Sequence, residues 1–437
     1  MKRIMVDMSA TLIHHGHVRL IKKAAEFGDV VIGLTTDDEI ESKKGYFPEL
    51  NFESRKEILE AMALVKEVVP TPWLINEEVL NKYNIDLLVH GDDNSNIIPK
   101  EKLLLFPRTK GVSSTDMRHN VGRSVAQIKN KKLMLTPGPG ALPYEATMEL
   151  RPLFGRDDED YAQMSNEVIE WIKRLSGQDE VVFAQGSATF GLELAAHSFV
   201  KGKILLVSTG YYSDRLEQLL PSGCEVTKCR YVDIGNMSGD FDWVMCAYTE
   251  TSCAFKVNLK KLRKISDECG ASLYVDATAS IGLEDHHELA DVIAFSSCKG
   301  LFGITGAAFV AYKNHLVINE PSQFYLNLQT HQERRITGPY HAIASLHGVM
   351  GVHADIVRRV KRSKQYVLNK WPNLLGVSDE EQPLLCTYIE AKVTTEDPNV
   401  VLYTPRSDLK GSVICHFGEA HWERVTLGER IIVKELD

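Results

Sequence analysis

No cysteine occurs before residue 224 of this 437-residue chain, and the eight present include no CxxC pair and no zinc-like spacing. A disulfide framework and a cysteine-built zinc site are thereby excluded. The thiols read as reduced, several of them in the core, as in a cytoplasmic enzyme. No stretch approaches the roughly 20 apolar residues of a membrane helix. The opening Met-Lys-Arg-Ile-Met-Val is a short strand, too brief for the apolar core of a leader, so no membrane partner is expected. Positive charge is not in excess either. A net charge of −9 argues against nucleic acid held by bulk attraction, so any phosphate is gripped locally. Internal repeats and low-complexity segments are missing too. What remains is ordinary soluble composition, 44% hydrophobic and 25% charged, on a chain long enough for two or three domains.

The first 120 residues alternate apolar runs with helical patterns. Strands are expected over 4–8, 29–35, 67–69 and 85–90, with helices over 17–27 and 54–64. This βαβα rhythm implies a parallel sheet covered on both faces, whose ligands bind at the carboxyl ends of the strands. A polar stretch, 119–132, precedes a second α/β region with strands expected over 180–183, 203–207, 243–247, 272–276 and 292–296. From about 345 the pattern becomes one helix and an α+β tail. The expected division is a first domain over 1–125, a linker over 126–132, a large domain over 133–345 and a small one over 346–437.

Two motifs carry the chemistry of the first domain. His14-His15-Gly16-His17 closes the first strand and opens a helix, which points imidazoles and free N–H groups at one spot. About 100 residues on, Arg108-Thr109-Lys110-Gly111-Val112-Ser113-Ser114-Thr115-Asp116-Met117-Arg118 places a glycine, three hydroxyls and an arginine at another helix start. Ser113 or Ser114 can cap it, and Arg118 supplies a planar cation. Together the two resemble the HxGH and R-x-x-G-[IV]-S-[ST]-T signatures of the cytidylyltransferase family. That resemblance implies a Rossmann-like nucleotidyltransferase domain that takes CTP with Mg²⁺. His14 and His17 would stabilise charge on the α-phosphate as pyrophosphate leaves. It further implies a nucleotide site built from Ser9, Gly16, Lys43 and Lys44 of a polar loop, Gly91, Asp92, Arg108, Ser113, Ser114, Thr115 and Arg118. Arg55 would lie at the acceptor. Met8-Ser9-Ala10-Thr11 stands where most of the family reads Gly-Thr-Phe-Asp, a wording similar to a subgroup attached to phosphonate biosynthesis enzymes; Thr11 replaces an aspartate.

A different chemistry surrounds Ser296-Ser297-Cys298-Lys299-Gly300. A lysine at a strand end among small residues suits a Schiff base, because a flat ring can approach and an enclosed site lowers the amine pKa. Asp276 ends another strand, where a carboxylate can pair with a pyridine nitrogen. Gln185-Gly186-Ser187-Ala188-Thr189 opens an apolar helix ready for a phosphate. With Thr136-Pro137-Gly138-Pro139 and Glu250-Thr251-Ser252, these resemble a class V, fold-type I aminotransferase dependent on pyridoxal 5′-phosphate. The nearest wording is that of 2-aminoethylphosphonate–pyruvate and alanine–glyoxylate aminotransferases.

The resemblance implies that Lys299 carries the cofactor and shuttles protons. Asp276 would face the ring nitrogen, Tyr212 stack on the ring, and Thr251 and Ser296 lie beside it. Gly186, Ser187 and Ala188 would hold the phosphate, with Thr337 reaching the phosphate of a neighbouring subunit in a homodimer or larger assembly. Cys415-His416-Phe417-Gly418 stands where these relatives carry Phe-Arg-Ile-Gly, so the substrate carboxylate would fall to Arg334, Arg335 or His416. The small domain is short for the family.

The two chemistries on one chain imply consecutive steps. Phosphonoacetaldehyde would be aminated, with alanine as amino donor, to 2-aminoethylphosphonate. CTP would then give CMP-2-aminoethylphosphonate for decoration of a lipid or glycan. Two alternatives stay open: the same chemistries on an aminophosphate, such as serinol phosphate made from dihydroxyacetone phosphate, or one domain without catalysis.

Overall fold

A computed structural model describes residues 1–129, 132–138, 142–151, 154–155, 157–321, 323–333, 336–419 and 425–436. The chain divides into two compact units, Met1–Lys129 and Asn130–Asp437.

In the first unit, five parallel strands form one sheet, with buried apolar runs in the central β1 (Arg3–Met8), β2 (Asp29–Thr35) and β4 (Leu87–Gly91) and partly exposed edges in β3 (Val65–Thr71) and β5 (Leu103–Phe106). Their order is β3-β2-β1-β4-β5. The chain therefore winds outward from β1 to one side and then returns to its other side. That reversal opens a crevice at the carboxyl ends of β1 and β4. Helices α1 (His15–Ala25), α2 (Asp37–Lys44), α3 (Phe52–Glu60), α4 (Glu77–Lys82) and α5 (Ser114–Lys129) connect or follow the strands. α1 begins two residues earlier than the apolar spacing predicts because His14 itself caps it. α5 runs to Lys129, so much of the expected 126–132 linker is helix.

The second unit is built on a seven-stranded sheet. Its strands are β6 (Glu180–Gln185), β7 (Lys203–Ser208), β8 (Glu225–Arg230), β9 (Trp243–Ala247), β10 (Ser272–Asp276), β11 (Val292–Ser296) and β12 (Ala307–Tyr312). Their order is β6-β12-β11-β10-β9-β7-β8, with only β12 running against the rest. Helices α6 (Glu159–Ser176), α7 (Ala188–Phe199) and α8 (Tyr340–Met350) are amphipathic or largely apolar, and they pack on this sheet or against one another. The aromatic core includes the stacked pair Phe295–Phe309, 5.3 Å between ring centres.

Beyond it, α9 (His353–Lys370) accompanies two antiparallel pairs, Cys386–Ile389 with Ser412–Cys415 and Ala391–Thr394 with Ile432–Glu435. Leu133–Leu135, expected to open the large domain, instead pairs with Val400–Leu402 of this small region.

Candidate active sites

The end of β1 delivers the chain into α1 through a reciprocal histidine cap. The Nδ1 of His14 accepts from the N–H of Gly16 at 3.1 Å, and the Nδ1 of His17 accepts from the N–H of His14 at 3.2 Å. A ring nitrogen that accepts carries no proton, so each neutral imidazole must hold its proton on Nε2. Burial lowers the pKa of both rings, that of His17 to about 3, and neighbouring His15, His14 and Arg108 push the same way. The rings lie 3.9 Å apart, centre to centre. Glycine is required at position 16, because a Cβ there would meet the His14 ring at 2.9 Å. The result is two fixed, neutral N–H donors at one helix start.

Other residues converge on them. The Ser114 hydroxyl donates to the Leu12 carbonyl at 3.3 Å, which ties α5 to the loop before α1. Arg118 reaches the Thr11 hydroxyl at 3.0 Å, pairs with Glu49 at 2.6 Å and lies 4.6 Å over the Tyr46 ring. Lys44 donates to the Ser9 hydroxyl at 3.3 Å above the Trp73 ring. Asp92 accepts from the Arg108 N–H, while Asp93 pairs with its guanidinium at 2.9 Å. Gly91 lets that side chain pass: a Cβ there would stand 3.2 Å from Arg108 Cγ.

Three expectations change. Lys43 and Lys44 close helix α2 rather than lie in a loop, and Lys43 is exposed there. Ser113 spends its hydroxyl on Asp116, accepting from its N–H at 3.0 Å as the cap of α5; Thr115 follows in the first turn. Arg55 is fully buried, not open to an acceptor. Its guanidinium donates to the carbonyls of Leu50, Ser9 and Thr35 and to Asp37, so it staples β1 and β2 to α2 and α3.

Sequence reasoning also passed over Asp7. This carboxylate at the end of β1 is buried, takes an amide N–H from Asn96 at 2.9 Å and lies 3.5 Å from His90. Burial raises its pKa against the pull of His90. A charge inside an otherwise apolar buried strand was the available signal.

In the second unit, β10 and β11 end side by side and bring Asp276 toward Lys299. Lys299 follows β11 in a left-handed conformation (φ 57°), a strain that a non-glycine residue holds at functional turns. Its amine lies 5.9 Å from the Tyr212 ring centre, and desolvation lowers its pKa. Asp276 is buried, which raises its pKa, and it accepts from the Thr278 N–H at 2.9 Å. Gly138 packs so closely that a Cβ would meet Lys299 Cγ at 2.7 Å.

Among the described residues the buried Thr249 hydroxyl has no partner, and the Thr278 hydroxyl lies beside Asp276. Thr251 is buried beside Tyr403, and Ser296 contacts the Cys298 thiol at 3.2 Å. Ser187 caps α7 with no side-chain capping bond, which leaves the helix N-terminus open. A flat, phosphate-bearing pyridine ring fits these residues: a carboxylate, an amine, an aromatic face, an orphaned hydroxyl and an open helix end.

Two expectations are revised here, those for Gly186 and His416. The Gly186 N–H donates to the Gly306 carbonyl at 2.9 Å, so the phosphate contacts reduce to Ser187 and Ala188. His416 cannot take a substrate carboxylate. It is fully buried, its Nε2 meets Thr387 at 2.9 Å, its Nδ1 meets the Leu384 carbonyl at 3.1 Å, and burial pushes its pKa down to about 3. Arg334 and Arg335 lie outside the described residues. Thr337 lines a small cavity with Tyr161, Phe183 and His331.

Glu250 was overlooked. Fully buried, it accepts from the N–H groups of Tyr212 and Ser213, each at 3.0 Å, and so holds Tyr212 at the site. The glutamate of Glu-Thr-Ser was itself the signal.

Fold and sites define a class: a fusion of an N-terminal cytidylyltransferase-like domain with a C-terminal aminotransferase domain, a bifunctional enzyme. Residues 10–120 match the cytidylyltransferase-like family. Glycerol-3-phosphate cytidylyltransferase of Staphylococcus aureus is 31% identical over 129 residues, which is 28% of this chain and 96% of that protein. Through this region, the chain belongs to the cytidylyltransferase-like family. The second unit is similar to 2-aminoethylphosphonate–pyruvate transaminase of Pseudomonas aeruginosa, 24% identical over 271 residues, 54% of this chain and 72% of that protein. Its fold is that of a Thermus thermophilus subgroup IV aspartate aminotransferase, with a TM-score of 0.57, 17% identity, and 64% of this chain and 91% of that one covered. Among the described residues, no helix is long and apolar enough to cross a membrane.

Proposed function

We propose that the second unit aminates phosphonoacetaldehyde to 2-aminoethylphosphonate, and that the first joins this product to CMP from CTP with release of pyrophosphate. The observation that carries the reading is the pairing, on one chain, of an aminotransferase similar to a 2-aminoethylphosphonate transaminase with a cytidylyltransferase-like domain.

In the first site, a phosphonate oxygen attacks the α-phosphorus of CTP. One P–O bond forms, the α–β P–O bond breaks, and its electron pair leaves with pyrophosphate. The acceptor is already an anion, so no base is needed. The Nε2–H groups of His14 and His17 donate to the α-phosphate oxygens as charge builds there, and the start of α1 adds its dipole. Lys44 and Arg118 face the outer phosphates. Among the described residues no group of three or more His, Cys, Asp or Glu is placed to hold a metal ion. The triphosphate itself would therefore be the main ligand of the Mg²⁺ that accompanies CTP.

In the second site, pyridoxal 5′-phosphate, when bound, supplies the electron-withdrawing ring that lets a Cα–H leave as a proton. Lys299, whose pKa desolvation lowers, takes that proton and returns it. Asp276 keeps the ring nitrogen protonated, Tyr212 covers one ring face, and Ser187 and Ala188 hold the phosphate. Alanine is the proposed amino donor, and a homodimer in the cytoplasm the proposed state.

A second reading keeps both chemistries on an aminophosphate, and it is favoured by the likeness to a glycerol-3-phosphate cytidylyltransferase. One experiment separates them: pyrophosphate release from CTP with 2-aminoethylphosphonate, phosphoethanolamine, serinol phosphate, phosphocholine or glycerol 3-phosphate. Selective turnover of the phosphonate is expected. Preference for a phosphate ester would replace the first reading with the second, and silence with every acceptor would sink both.

A further inference from the structure

Alanine carries its carboxylate on the carbon that bears the reacting amine, and 2-aminoethylphosphonate carries its phosphonate one carbon further; the aminotransferase site must hold that anion. His416 cannot, since both ring nitrogens are engaged in the core. Two arginines stand at the aromatic pair beside Lys299, Arg215 at Tyr212 and Arg406 at Tyr211. Arg215 lies over the Tyr212 ring at 5.2 Å, on the side where Asp276 feels its charge, so it belongs to the ring-nitrogen side of the site. Arg406 meets the neighbouring ring of the pair, Tyr211. It stands in the segment between the strands Val400–Leu402 and Ser412–Cys415. Both ends of that segment border the site: Tyr403 faces Thr251 and Tyr212, and Cys415 faces Lys299.

From there Arg406 reaches across to the edge of the aromatic wall. Its Nη1 donates to the Tyr211 hydroxyl at 3.1 Å, and its guanidinium lies 5.1 Å from that ring centre. Tyr211 stands edge-on to Tyr212, 5.2 Å between centres, and Tyr212 in turn lies beside the Lys299 amine. Arg406 is exposed, and among the described residues no carboxylate pairs with it. A surface arginine with no ion pair, stacked and hydrogen-bonded at a site's rim, has already given up much of its side-chain freedom. Its remaining N–H groups form an open fork for two oxygens.

We propose that Arg406 grips the anionic end, carboxylate or phosphonate, of the aminotransferase substrates, with Tyr211 as its anchor. The proposal rests on the aminotransferase reading of this site. It makes the rim where Tyr211 meets Arg406 the specificity element that the buried His416 does not provide.

The test uses the full-length holoenzyme. The change in cofactor absorbance is followed after mixing with alanine, with 2-aminoethylphosphonate, and with propylamine as an amine lacking the anion. Arg406→Gln should raise the half-saturating concentration of both anionic amines roughly 10- to 100-fold, the range of a charge-assisted bidentate contact. The limiting rate should change by less than about 3-fold, and the slow reaction with propylamine should not change. Arg406→Lys should recover part of the loss, and Tyr211→Phe should weaken both anionic amines by a few-fold. Methylphosphonate should compete with alanine in the wild type and lose this effect in Arg406→Gln.

If the wild type reacts and Arg406→Gln binds both anionic amines within about 2-fold of it, Arg406 is not the anion site while the aminotransferase reading stands. If the wild type reacts with no amine, the reading itself fails, and the proposal with it. Should Arg406→Gln not fold or not retain cofactor absorbance, Arg406→Lys and the methylphosphonate competition decide the matter by the same criteria.

Discussion

A histidine that accepts a backbone N–H at Nδ1 has no choice over where its proton sits, and this chain uses that twice within four residues. The consequence is measurable. Because burial lowers both pKa values, that of His17 to about 3, the free enzyme keeps the His17 ring neutral well below the ordinary histidine range and shifts His14 the same way. The neutral donor is the form present above the lowered pKa and lost only as the pH falls through it. The value of kcat/KM for CTP, which reports the free enzyme, should therefore show no histidine inflection between about pH 6 and 8. A drop in rate as pH rises through about 6.5 would mean that imidazolium, not imidazole, does the work. Replacing His17 by Ala removes one donor to the developing charge and the cap on the His14 N–H together. Pyrophosphate release should fall by about 10²–10³ with little change in the KM for CTP.

Among elements, Arg55 decides how the crevice of the first unit is shaped. One fully buried guanidinium on α3 satisfies carbonyls at the ends of β1 and β2, and it pairs with Asp37 of α2 at 2.6 Å. Cutting it back to methionine strands a carboxylate and several carbonyls, a loss of about 3–5 kcal/mol for a broken buried pair. Thermal unfolding of the first unit should shift down accordingly. A higher acceptor KM with unchanged melting would instead restore the acceptor role that its position in the sequence suggested.

The contrast shows where the sequence was legible. The strands at β2, β9, β10 and β11 announce themselves as apolar runs between turn signals, and the two histidines and Lys299 stand at strand ends where ligands gather. β8 did not, because it is an edge strand with mostly exposed side chains and no apolar run. Nor did the fates of Arg55 and His416. An arginine or a histidine reads the same in sequence whether its polar atoms face a ligand or the backbone, and only packing across elements far apart in the chain decides it.

At the scale of the whole molecule, the residues of each site come from one unit: those around His14 and His17 precede Lys129, and those around Lys299 follow Asn130. Side chains that share no partner contribute independently, so damage at one site should leave the other's chemistry intact. His17→Ala should retain transamination at the wild-type rate, and Lys299→Ala should retain pyrophosphate release when the amino compound is supplied. An equimolar mixture of the two variants, given phosphonoacetaldehyde, alanine and CTP, then tests how the steps are joined. If the intermediate leaves into solution, the mixture forms the cytidylylated product after a lag. The lag shortens as enzyme concentration rises, because the intermediate must accumulate to the KM of the second site. The steady rate per working site should match that of the wild type. A wild type that forms product without a lag under conditions where the mixture shows one would mean that the amine passes between sites of the same molecule, and the lag is what distinguishes the two.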